Sequence, residues 1–384
     1  MIISFNNNIQ DIGKSRWNAI TGTENPFMRF EFLAALEAHD CVGKFQGWIP
    51  QHLMIEDTEG GEILGLMPLY LKDNSYGELV FDWSWAEAYH QAGREYYPKL
   101  VSAIPYTPVT SKRIFIADGQ DKLAIESEII NALKQVALNN QLSSIHCLFP
   151  QKEDCDNFVK QGFVSRLGCQ FHWHNNDEKA NFSSFEDFLS TFASRKRKNI
   201  KKERKRCVDQ NISFEILKGS DIAPDLWPII YHFYQKTFIE KGGYASFTQA
   251  FFEEISVTMG DQLIVVLAVY QGKYVASAIS YRNNHSLYGR HWGCTEAFDS
   301  LHFETCYYQG IDYAIEHQLQ LFEPGAQGEH KVSRGFVPTE TWSTHWIKDD
   351  DFRSAIYQFV DREKDAMINY ISDMNQHLPF KKIN

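Results

Sequence analysis

Leu148-Phe149-Pro150, Gln161-Gly162-Phe163-Val164 and Phe171-His172-Trp173 stand near the middle of the chain. Leu321-Phe322-Glu323-Pro324, Arg334-Gly335-Phe336-Val337 and Thr344-His345-Trp346 stand near its end. Leu-Phe, Gly-Phe-Val and His-Trp recur at one offset of 173 residues (335 less 162), and three matches in register read as a duplicated unit. Upstream, Trp83 with Glu87-Ala88-Tyr89 echoes Trp292 with Glu296-Ala297-Phe298, now at an offset of 209 (292 less 83). The first copy is therefore expected to carry extra residues, placed between Tyr97 and Gly119.

Apolar periodicity fills in the elements. In the second copy it predicts a strand over Gln262 to Tyr270, a turn at Gln271-Gly272-Lys273, and a partner strand to Tyr281. A third strand over His285 to Trp292, a helix over about Phe303 to His317 and strands over Leu319 to Phe322 and Thr341 to Ile347 complete it. In the first copy the expected strands are Gln51 to Glu56, Glu62 to Leu71 and Glu78 to Trp83. A helix over Lys122 to Asn139 and a strand over Ser144 to Phe149 follow. The expectation is an α/β protein of two tandem domains, each a mixed, mostly antiparallel sheet flanked by helices. The boundaries are placed at 1–178 and 179–384, with Asn175 to Ala180 as the link, a basic helix opening the second domain and a helix closing it.

Composition sets the outer limits. The 384 residues are 43% hydrophobic, 14% aromatic and 23% charged, enough for two packed cores and against wholesale disorder. A formal charge of −11 excludes a protein whose whole surface grips nucleic acid. The seven cysteines are scattered without a C-x-x-C pair, the usage of a reducing compartment. No secretory leader is visible at the N-terminus, and the aliphatic run Leu263 to Tyr270 is too short to cross a bilayer. A cytoplasmic, soluble protein is expected.

The charge is unevenly placed. Arg195 to Arg206 holds nine Lys/Arg and one acid, Glu203: +8 set in a body of −19. Ser183 and Glu186 offer a capping box, and Phe185, Phe188, Leu189, Phe192 and Ile200 fall on one face of a helix. Stacked like charges weaken a helix, so Arg195, Lys196, Arg197 and Lys198 are expected to meet an anion. Nucleotide phosphates, a transfer RNA acceptor stem and anionic lipid head groups are the candidates, with the protein's own surplus acids as the alternative.

A second focus is the loop Glu323 to Lys331. Gly325, Ala326 and Gly328 let backbone N–H groups approach a ligand, and the loop follows a buried strand, where open sheets bind ligands. Glu323, Glu329 or His330 can serve as a general base, Gln327 and backbone amides can hold an oxyanion, and Lys331 and Arg334 can pair with phosphate or carboxylate. A tight turn with a charged tip is the plain alternative. His172 and His174 share a strand face, but no acid or cysteine joins them at metal-ligand spacing; a hydrogen-bonded histidine is the reading, and no metal is expected. Trp83, Trp85 and Trp292 are candidates to line a cleft, although core packing explains them as well.

Two copies of strand meander, helix and strand resemble the doubled GNAT-like architecture of the Fem-type aminoacyl ligases. The residues that carry the likeness are Cys306 to Glu316, Glu323-Pro324-Gly325-Ala326-Gln327-Gly328-Glu329-His330-Lys331, Gln170 to Trp173 and Arg195 to Lys198. Together they look like the FemAB-like subfamily of N-acyltransferases, a peptidoglycan biosynthesis or recognition group, over nearly the whole chain. Tyr106-Thr107-Pro108 resembles a segment typical of that subfamily, which implies a stiff loop walling the cleft. Phe298 to His302 lacks the glycine turn with which ordinary GNAT enzymes cradle pyrophosphate, and no stretch reads as the long helical arm of some Fem ligases.

The resemblance implies an N-acyltransferase joining an acyl or aminoacyl group to an amine of a phosphate-bearing or peptide-like acceptor, in a cell-wall context. The donor would be aminoacyl-tRNA or acyl-CoA, with no permanently bound cofactor. Attack would be direct, because no Ser-His or Cys-His pair stands at a nucleophile motif. The alternative is a non-catalytic module binding a peptidoglycan precursor or other anionic ligand. Peripheral membrane contact and oligomeric state are left open.

Overall fold

A computed structural model describes residues 1–176, 180–326 and 328–381. They form two compact units, Met1–Cys169 with Glu340–Tyr370, and Gln170–Thr339 with Ile371–Asn384.

In the first unit the elements run β1 (Ile2–Asn6), α1 (Lys14–Thr21), α2 (Phe30–Ala38), β2 (Ile49–Pro50), β3 (His52–Glu56), β4 (Ile63–Met67) and β5 (Tyr70–Lys72). There follow α3 (Trp83–Gln91), β6 (Lys99–Ser102), β7 (Phe115–Ile116), α4 (Lys122–Asn139), β8 (Ser144–Leu148), α5 (Lys152–Lys160) and β9 (Val164–His174). Strands β1, β3, β4 and β7 make one antiparallel sheet. A second sheet holds β2, β5 and β6 antiparallel and then β6 parallel to β8. Helix α4 has the limits its periodicity predicts. Asp121 accepts from the Ala124 N–H at its start, and Ile125, Ile129, Ile130, Leu133 and Ala137 are buried along one face.

In the second unit come α6 (Phe185–Ser190), α7 (Ser194–Asp209), β10 (Ile212–Lys218), α8 (Trp227–Glu240), α9 (Gln249–Thr258), β11 (Leu263–Tyr270), β12 (Lys273–Arg282) and β13 (Ser286–Cys294). A short α10 (Leu301–Phe303), a π turn (Glu304–Tyr308), α11 (Gln309–Glu316) and β14 (Leu321–Glu323) complete the run. Strands β10 to β13 form an antiparallel meander, and β14 joins β13 in parallel. Gly293 lets α8 rest directly on β13, since a Cβ there would lie 1.8 Å from the Phe233 carbonyl oxygen.

The last strand of each copy pairs outside its own copy. β15 (Val337–Ile347) has the length of β9 and begins 173 residues after it (337 less 164). Gly162 and Gly335, one in each Gly-Phe-Val, hold φ of +85° and +88°, the left-handed turn that leads into the strand. Residues Ser343 to Ile347 of β15 pair with β8 of the first copy, whereas Trp173 and His174 of β9 pair with β14 of the second. The units therefore depart from a single cut at 178, because Glu340–Tyr370 belong with the first. Helix α12 (Asp350–Gln376) follows, its Ile356 and Val360 packed with Trp85, Tyr89 and Ile347. No helix among the described residues is long and apolar enough to cross a membrane.

Several expectations need correction. Glu78 to Trp83 is not a strand: Trp83 opens α3, whose Trp85 and Tyr89 are buried one turn apart. Trp83 on a helix and Trp292 on β13 are thus not equivalent, and the 209-residue echo is coincidental. Glu62 to Leu71 divides into β4 and β5 around Pro68, which has no N–H for a ladder. The basic helix is two helices, α6 and α7, broken at 191–193. Ser184, not Ser183, caps α6 by accepting from the Asp187 N–H, while Asp187 accepts from the Ser183 N–H in return. Asn175 is buried rather than a free link, its amide held by Gln320 and its side chain by the Phe182 N–H; 177–179 lie outside the described residues.

Candidate active site

The parallel pair β13 and β14 stays together only over Ser286–Leu321, Leu287–Phe322 and Tyr288–Glu323. β13 then runs on to Cys294 while β14 ends, and the carboxyl ends of such a pair are the usual ligand position in open sheets. Arg290 bridges the two strand ends, donating from Nη1 to the carbonyls of Gly289 at 2.6 Å and Glu323 at 3.2 Å. Its Nη2 stands 3.7 Å from Glu323 Oε2. Burial pushes the Glu323 carboxyl up to about 7 against the opposing pull of Arg290. Lys331 donates to the Gly325 carbonyl at 2.7 Å, and burial, reinforced by Arg290, lowers its ammonium to about 7. His172 faces the same charges. Burial, His174, Arg290 and Lys331 take it down to about 3, so it is neutral, and its Nε2 lies 3.3 Å from Gln170 Oε1.

The helical wall supplies the rest. A π turn at Glu304–Tyr308 interrupts the helix after β13, a feature common at functional sites. Tyr307 from this turn places its hydroxyl 2.9 Å from His330 Nε2. The His330 ring lies among His302, Phe303 and Tyr307. Burial, then Arg334 and Lys331, hold the His330 imidazolium below its ordinary range, so the ring is a neutral base near pH 7. His302 is taken down to about 4 by burial and the same cations. Arg334 lies with its guanidinium carbon 3.4 Å from the Phe303 ring centre and donates to the His330 carbonyl at 2.7 Å.

Helix α7 is split in its charge. Lys201 pairs with Glu186, Arg204 with Glu304 and Asp312, Lys205 with Asp209 and Arg206 with Asp299. Among the described residues the protein's own acids therefore pair with four of the last five cations, Lys202 excepted. Arg195, Lys196, Arg197 and Lys198 make no ion pair among the described residues. They occupy a first turn whose residue before the helix, Ala193, supplies no side-chain cap. Four cations at the positive end of a helix dipole are mutually unfavourable, and this is where an anion gains most.

The structure brings Glu323, Gly325, Gly328, Glu329, His330, Lys331, Arg334 and His172 into the second unit, Glu323 at the end of β14 and the next six on the loop after it and the 3-10 turn Glu329–Arg334. Glu329 is exposed at the start of that turn, and Gln327 lies outside the described residues. Tyr106 and Thr107 belong to the first unit, where the Tyr106 hydroxyl donates to the Cys41 carbonyl at 2.9 Å and Thr107 is buried. There the matching parallel pair, β6 with β8, is closed by its own chain. Fully buried Arg113 donates to the carbonyls of Leu148 at 2.9 Å and Val109 at 2.9 Å, and also to those of Ser111 and Lys112. Arg290, His302 and Tyr307 did not emerge from the sequence as site residues. A gap between parallel strands defines Arg290, whereas Tyr307 stands inside the Cys306 to Glu316 motif.

A doubled unit of antiparallel strands, helix and parallel strand pair defines a protein of the tandem GNAT fold. The chain belongs to the FemAB-like family, described as peptidoglycan biosynthesis/recognition, which it matches over residues 8–382. Comparison with curated proteins gave no sequence match. Among solved structures the chain is similar to FemX, at 12% identity with 94% of this chain and 99% of that one covered and a TM-score of 0.53. It is also similar to the C-terminal domain of a putative lysylphosphatidylglycerol synthetase from Agrobacterium fabrum, at 8% identity, 89% and 94% coverage and a TM-score of 0.54. L-PGS from Bacillus licheniformis compares at 9% identity, 86% and 96% coverage and a TM-score of 0.51.

Proposed function

We propose that the protein is an N-acyltransferase that moves an acyl or aminoacyl group onto an amine in a cell-wall context, using the residues gathered at the β13–β14 end of its second unit. The observation that carries this reading is the neutral His330 ring, whose Nε2 meets the Tyr307 hydroxyl at 2.9 Å beside buried Lys331. An amine entering at the place of that hydroxyl attacks the acyl carbonyl directly. The N–C bond forms as the C–O or C–S bond to the donor breaks. His330 takes the amine proton and returns it to the departing oxygen or sulfur. Lys331 and the backbone N–H groups of the glycine-containing loop offer positive charge to the carbonyl oxygen as it becomes anionic. Glu323, raised toward neutrality, is the second candidate base, and exposed Glu329 the third.

The donor, aminoacyl-tRNA or acyl-CoA, and the acceptor, a phosphate-bearing or peptide amine, are proposals that rest on family membership and on the unpaired cations Arg195 to Lys198 at the start of α7. Those cations also support a second reading, in which the chain only binds an anionic cell-wall precursor. The test is mass spectrometry of amide product from each donor class with wild type, His330→Ala and Glu329→Gln. Loss of product in His330→Ala with folding intact is expected. Full turnover in that variant refutes the assignment of the base, and binding of the precursor with no product from any donor selects the second reading.

A further inference from the structure

Glu203 is the single acid among nine cations in Arg195 to Arg206, yet it pairs with none of them. Its carboxylate accepts from Arg334 Nη2 at 2.9 and 3.0 Å and from the Tyr308 hydroxyl. Arg334, which is 5% exposed, in turn donates to the His330 carbonyl at 2.7 Å and lies over Phe303. Two consecutive tyrosines of the π turn are put to different uses: Tyr307 bonds the His330 ring, and Tyr308 bonds the acid that anchors Arg334. His330 is thus gripped at its ring and at its peptide.

We propose that Glu203 is a positioning residue for the His330 site, acting through Arg334 and Tyr308. The proposal rests on the reading of His330 as the base and adds that α7 carries the group that holds it. Without the carboxylate, Arg334 is a buried guanidinium lacking its counter-charge, an expensive arrangement that loosens its hold on the His330 peptide. It also leaves the full Arg334 charge beside the imidazole.

The test is the pH titration of the His330 ring by NMR, a readout that needs no substrate. The charged and titratable groups around the ring are Glu329, Lys331 and Arg334 on its own turn, His302 and Tyr307 on the helix, and Glu203 on α7. Glu203→Gln is expected to lower the His330 titration midpoint by about half a unit, because one anion is removed next to Arg334. Glu203→Asp is expected to restore it. An unchanged or raised midpoint in folded Glu203→Gln overturns the proposal. If that variant does not fold, Tyr308→Phe carries the test: a shift or broadening of the His330 ring signals is expected, and a spectrum identical to wild type overturns it. Full turnover by His330→Ala, alongside a moved titration in Glu203→Gln, would refute the functional reading and leave the positioning intact.

Discussion

Replacing Lys331 by Met asks whether a buried ammonium stands at the proposed site. The side chain is 1% exposed, has one hydrogen bond, to Gly325, and titrates at about 7 in the folded protein against an ordinary 10.5. A folded value below the unfolded one means that the stability Lys331 contributes is complete above 10.5 and is lost as pH falls toward 7. Over the unfolded-to-folded interval, linkage makes the wild type about 4 kcal/mol less stable at pH 7 than it would be with the amine neutral, and about 2 kcal/mol less stable at pH 9. Lys331→Met lacks this proton. Its stability relative to wild type is therefore expected to fall by about 2 kcal/mol between pH 7 and pH 9, after a constant loss of about 1 kcal/mol for the hydrogen bond. Urea unfolding followed by tryptophan fluorescence at several pH values measures the difference. Parallel pH profiles for the two proteins would refute the burial argument, whatever their absolute stabilities.

Two other perturbations test the packing of each unit. Gly293→Ala drives a methyl into the Phe233 carbonyl and is expected to cost at least about 2 kcal/mol in urea unfolding, since backbone and not a flexible side chain must yield; an unchanged midpoint would contradict the contact. In the first unit, fully buried Lys99 places its three N–H groups on Ser75 at 2.9 Å, Glu78 at 2.9 Å and Asp82 at 2.5 Å. Asp82→Asn removes a buried counter-charge and is expected to cost about 3–5 kcal/mol by the same measurement, whereas a loss below about 1 kcal/mol would mean that the network is not closed.

Much of the architecture was readable wherever it depends on neighbours along the chain. Helix α4 and strand β11 announce themselves by period, and Gly162 and Gly335 mark the same left-handed turn in both copies. The segment around Trp83 misled because Trp, Phe and Tyr favour strands, although the i, i+4 spacing of Trp85 and Tyr89 already gave one face of a helix. The site was legible in part. His330, Lys331 and Arg334 lie on a loop whose small residues advertise close backbone approach, and Tyr307 lies in the helix motif beside it. Arg290 read as one more strand residue. It acquires a role only because β13 outruns β14, a fact of register between segments some thirty residues apart.

The sequence by itself determined the duplicated unit, the sheet-and-helix order within each copy and the concentration of positive charge in α7, all of them local patterns or direct counts. Only the tertiary structure decided that the last strand of each copy pairs with the other copy, that Arg113 and Arg290 each tie the end of a parallel strand pair, and that Arg204 and Arg206 of α7 are spent on acids about a hundred residues away. The physical reason is the same in each case. Strand pairing, buried hydrogen bonds and ion pairs depend on distances in space, and those exist only after the chain has closed its loops.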